Sequence, residues 1–114
     1  MIFQLINDGV LNEYHVEASK TALGLTFKDP IANGDFHLYF KNDEVMIKRT
    51  GNIEMQEIYK AGLKTMGYYK QEGITFKSVI ETTLLIIDES KIKIEYLQTI
   101  EHHESQKTMV FWLK

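Results

Sequence analysis

Apolar and polar residues alternate through most of the chain. Leu23, Leu25 and Phe27 occupy every second position, as do Phe36, Leu38 and Phe40, Val45 and Ile47, Ile53 and Met55, Ile92, Ile94 and Tyr96, and Met109, Phe111 and Leu113. Successive side chains of a strand point to opposite faces, so a period of two marks strands with one buried face. The stretch from Ile74 to Ile87 carries this signature furthest, with Ile74, Phe76, Ser78, Ile80, Thr82, Leu84 and Ile86 on one face and Lys77 and Glu81 on the other. It predicts one long strand. Chain-reversing residues stand between the runs: Asp29-Pro30, Asn33-Gly34, Lys41-Asn42-Asp43, Gly73 and Asp88-Glu89-Ser90. Between Met55 and Gly67 a helix competes, because Met55, Ile58, Tyr59, Leu63 and Met66 also fit an apolar helical stripe. Gly62 and Gly67 interrupt that stripe and Tyr59, Tyr68 and Tyr69 favour strands, so strand is expected there, with room for a single helical turn. About eight or nine strands at even spacing predict an all-β chain, a barrel or sandwich.

The 114 residues suit one domain, expected to span 1–114 without a linker. Charge removes one class of partner: 13 Lys+Arg and 16 Asp+Glu, a net of -3, are mixed along the chain. Nucleic acid is not expected, for want of a basic stripe. The chain has no cysteine, which excludes disulfides and thiolate chemistry and fits a reducing cytoplasm. MIFQLINDGV does not read as a secretory signal, and no apolar run reaches about 18 residues, so the expectation is a soluble cytoplasmic protein without a membrane partner.

The segment from Val45 to Gln98, somewhat under half of the chain, resembles the YwiB-like family of uncharacterised bacterial proteins. The residues that carry the resemblance are Arg49, Gly51 and Met55, then Tyr69, Gly73, Thr82 or Thr83, and Tyr96 after an alternating run. It implies a small antiparallel lipocalin-like (calycin-like) β-barrel of about eight strands. It brings no established activity and so no catalytic residue. The first 30 or so residues depart from the pattern and leave the first barrel strand undefined.

Arg49 stands out because it shares a face with Val45 and Ile47. A three-residue turn at Thr50, Gly51 and Asn52 would set Arg49 opposite Ile53, Ile47 opposite Met55, and Glu57 opposite Val45. A guanidinium cannot shed its proton, so on an apolar face it needs a carboxylate, carbonyls, an aromatic ring or water. The expected role is a structural latch stacked on Trp112, an arrangement that the lipocalin-like resemblance implies; the alternative is an anchor for the anionic head of an amphipathic ligand. In the second case Arg49, Tyr69 and Tyr96 are the polar points of a binding cavity. No metal site is expected, since His102 and His103 are adjacent and face opposite ways and His15 and His37 stand alone. No cofactor motif, nucleophile elbow or paired-carboxylate motif occurs, so enzyme activity is not expected.

Two functions follow. One is a non-catalytic barrel that binds a small apolar or amphipathic molecule. The other is a filled barrel that serves as an interaction module or homodimer, through an apolar outer face of Val79, Leu85 and Ile87 or through a sheet edge that a weak first strand leaves uncovered.

Overall fold

The computed structural model describes residues 1–113 as eleven antiparallel strands in one sheet. They are β1 (Ile2–Asn7), β2 (Val10–His15), β3 (Ser19–Lys20), β4 (Gly24–Lys28), β5 (Asp35–Lys41), β6 (Glu44–Arg49), β7 (Ile53–Lys60), β8 (Lys64–Gln71), β9 (Ile74–Ile87), β10 (Lys91–Ile100) and β11 (His103–Trp112). Met55–Gly67 is strand, turned at Gly62, and the described residues contain no helix. Hence none is long and apolar enough to cross a membrane. The period-two runs are all strands; the additional ones are the β1–β2 hairpin and the two-residue β3 near the N-terminus.

The sheet order is β2-β1-β11-β10-β9-β8-β7-β6-β5-β4-β3. Its two edge strands are consecutive in the chain. The segment Val10–Lys20 pairs first with β1 and then, after a bend at Val16–Ala18, with β4. One piece of chain thus supplies both edges of the curled sheet and links them covalently. Aromatic rings fill the seam behind it. Phe3 stacks on Phe111 at 4.9 Å between ring centroids and meets Phe36 at 5.4 Å and Phe27 at 5.9 Å. Such contacts add about 0.5–1.5 kcal/mol per pair beyond the area they bury.

β9 departs from strict alternation. Glu95 pairs with Leu84 but Tyr96 pairs with Thr82, so Thr83 is an extra residue, and its hydroxyl donates to the Glu95 carbonyl at 3.1 Å. A bulge of one residue reverses which face each later side chain meets. Ser78, Ile80 and Thr82 therefore face the interior, and after the bulge Leu85 and Ile87 pack against the core. The expected outer face of Val79, Leu85 and Ile87 does not exist: two of its three members point inward, and Leu84 and Ile86 take the outer positions.

The β6–β7 register also differs from expectation. Arg49 pairs with Met55, Ile47 with Glu57 and Val45 with Tyr59. The connection is two residues longer because the Thr50–Asn52 turn packs against the corner between β4 and β5. Asn52 N–H donates to the Ala32 carbonyl at 2.8 Å and Thr50 N–H to that of Asp35 at 3.0 Å. Gly51 (φ +110°) permits this approach, since a Cβ there would sit 2.6 Å from the Ala32 oxygen. A slip of two leaves every side chain on its expected face.

Candidate binding site

The barrel interior is divided. One part is apolar and closely filled by residues such as Phe27, Phe36, Leu38, Ile47, Ile92 and Ile94, all buried. The other, spanning β7 to β11, holds polar side chains at inward positions. Glu57, exposed by only 1%, accepts from the Tyr59 hydroxyl at 2.7 Å and from Gln98 Nε2 at 2.6 Å. The other end of the Gln98 amide accepts from Lys107 Nζ at 2.5 Å. This four-residue chain leads from the buried acid to the wall of an open, surface-facing cavity of about 310 Å3, near the lower limit for small-molecule sites. Asn7, Asp8, Tyr69, Gln98, Ser105 and Lys107 contribute to its lining. Two larger depressions, of about 700 and 480 Å3, lie elsewhere, and neither reaches a buried polar side chain.

Local sequence explains the placement. Gln98 continues the inward series Ile92, Ile94, Tyr96, and Lys107 precedes Met109 and Phe111 on the inward face of β11. Gly67 makes room for the acid: a Cβ there would come within 3.0 Å of Glu57 Cγ and 2.2 Å of the Gln56 carbonyl oxygen. Burial and the neighbouring Glu57 charge push the Tyr59 hydroxyl far above the ordinary tyrosine range, so it stays a donor. Tyr96 is raised for the same two reasons. Burial pulls the Lys107 ammonium below the usual lysine value; the Glu57 charge opposes this and Arg49 adds to it. The hydroxyls of Ser78 and Thr82 are buried without a hydrogen-bond partner.

Arg49, Tyr69 and Tyr96 do not form one cluster. Arg49 makes a two-point pair with Asp29, Nε–Oδ2 2.6 Å and Nη2–Oδ1 3.1 Å, and lies over the Phe36 ring at 5.5 Å. It does not stack on Trp112. The alternation that turns Phe111 inward turns Trp112 outward, where Lys91 lies over its ring at 5.3 Å and its indole N–H donates to Gln4 at 2.9 Å. Tyr69 lies at the cavity, its hydroxyl donating weakly to Gln71 at 3.3 Å. Tyr96 is buried, directly opposite Lys107 in the β10–β11 ladder and edge-on to Tyr59 at 4.9 Å. Sequence reasoning missed Gln98 and Lys107, although their parity with apolar neighbours was visible. Among the described residues no three His, Cys, Asp or Glu side chains gather where they could hold a metal ion.

The fold and this interior define a lipocalin-like antiparallel β-barrel. The chain belongs to the family described as "Domain of unknown function (DUF1934)", whose profile matches residues 14–110. No curated protein matches it in sequence. Among solved structures it is similar to the ywiB protein from Bacillus subtilis, with a TM-score of 0.60, 16% identity and coverage of 97% of this chain and 87% of that one. At that identity the likeness is one of fold.

Proposed function

We propose that this barrel binds a small amphipathic molecule without transforming it, with the ligand's polar group at the Tyr69–Gln98–Lys107 wall. The observation that carries the reading is the division of the interior: a filled apolar part beside a hydrogen-bonded polar chain that ends at a cavity. A barrel needing only stability gains little from burying Glu57 and its partners, because each charge taken from water must be offset by well-placed hydrogen bonds. Arg49 takes the latch role in this reading, since Asp29 engages it at two points. Native mass spectrometry of the protein as purified tests the proposal. A retained small molecule that is lost from a Gln98→Leu, Lys107→Met variant supports it; the same adduct on the variant counts against this site.

The second reading, a homodimer, rests on an open sheet edge and not on Val79, Leu85 and Ile87. β2 is a sheet edge with Val10 64% and Leu11 55% exposed. Such an edge offers unpaired backbone groups to a second copy. The same spectrum reads it as a doubled mass.

A further inference from the structure

We propose that the ligand of this mouth carries a single carboxylate and that Lys107 is its anchor. This rests on the binding reading above and narrows it to a chemical class. The Lys107 ammonium has three N–H donors, and one goes to Gln98 Oε1. Among the described residues no carboxylate lies within ion-pair distance of it. A lysine that served only to neutralise Glu57 would meet that acid directly. Here the Gln98 amide stands between them, and its orientation is fixed: Nε2 is committed to Glu57 at 2.6 Å, so the oxygen faces Lys107. The ammonium is thereby held at the cavity wall with two donors left for an entering group. Asp8, the acid that lines the cavity, accepts the backbone N–H of Gln106 at 2.9 Å and does not pair with Lys107. Ser105 lines the same wall, and its hydroxyl can donate to a second oxygen. Local charge selects among oxyanions. Asp8 lines the cavity and Glu57 stands behind the Gln98 amide, so one ammonium carries no surplus of positive charge, and a singly charged carboxylate is opposed less than a phosphate dianion.

The test titrates hexanoate, its neutral counterpart hexanamide, and hexyl phosphate into the full chain, with calorimetry for affinity and backbone NMR shifts of Gln98 and Ser105 for location. The expected result is hexanoate bound at least tenfold more tightly than the other two, a difference of about 1.4 kcal/mol. Lys107→Met should reduce hexanoate to the level of hexanamide, and Lys107→Arg should keep the preference. Hexanoate bound no better than hexanamide, a preference for hexyl phosphate, or a preference that survives Lys107→Met each overturns the proposal. The wild-type comparison needs no variant and decides even where Lys107→Met fails to fold. Hexanamide at the mouth without any gain for hexanoate overturns the carboxylate and leaves the binding reading standing; Gln98 and Ser105 undisturbed by all three probes overturns both.

Discussion

Arg49 and Asp29, twenty residues apart in sequence, meet through two hydrogen bonds, and the same carboxylate also accepts the backbone N–H groups of Ile31 at 2.9 Å and Ala32 at 3.1 Å. One acid therefore ties the corner between β4 and β5 to the end of β6. The Asp29 side chain is fully buried and that of Arg49 is 12% exposed. Arg49→Leu leaves a buried carboxylate with only its backbone donors, so stability should fall by roughly 2–4 kcal/mol. Urea unfolding checks this without any ligand. An unchanged midpoint would mean that the backbone amides alone hold the corner.

The pair also sets an acid limit. Burial alone would raise the Asp29 carboxyl, but the Arg49 hydrogen bonds and charge, with the amides of Ile31 and Ala32, outweigh it and hold the group below its ordinary value of 3.8. A carboxyl lowered by folding contributes stability that is complete above its unfolded pKa and is lost as pH falls through the folded one. The difference in unfolding midpoint between wild type and Arg49→Leu should accordingly be widest near neutrality and shrink below about pH 4. A difference that stays constant down to about pH 2 would rule out this linkage.

The bulge at Thr83 makes a claim about neighbours. Leu85 packs on the core and Leu84 lies on the outer face. Leu85→Ala should destabilise by about 2 kcal/mol, the lower part of the range for core leucines, and Leu84→Ala by well under 1 kcal/mol. Thermal unfolding of both variants checks it, and the reverse order would restore the unbroken alternation expected from sequence.

The two errors of register show what was legible. Alternation assigned the faces of β4 to β7, β10 and β11 because the inward positions are mostly apolar and more deeply buried than their neighbours, and a slip of two between Arg49 and Met55 changes no face. A bulge leaves no such trace. Thr82, Thr83, Leu84 and Leu85 read equally well either way, and the choice between them is made by pairing with Glu95 and Tyr96 across the ladder. Arg49 was readable as an inward charge, but its partner was not, since Asp29 lies beyond β5 and reads locally as a turn former. The polar chain was hidden for another reason. Gln98 and Lys107 are diagonal neighbours on the paired strands β10 and β11, but Glu57 comes from β7, and only the curvature of the sheet brings it to them.

Gln98 offers the sharpest test of that chain, because its amide serves both charges. With Leu in its place, Glu57 keeps only Tyr59 as a donor and Lys107 loses the acceptor it has in the free protein. A hydrogen bond to a charged group contributes about 1.5–3 kcal/mol, so Gln98→Leu should cost about 2 kcal/mol. Lys107→Met should cost less, because Lys107 is only partly buried and removal of its charge also ends a desolvation penalty. Both substitutions delete the same Nζ–Oε1 contact, so the double variant should lose less stability than the two single losses together, by on the order of 1 kcal/mol. Urea unfolding of the four proteins measures this coupling. Additive losses would mean that Lys107 and Gln98 act independently, and that the amide does not hold the ammonium at the cavity wall.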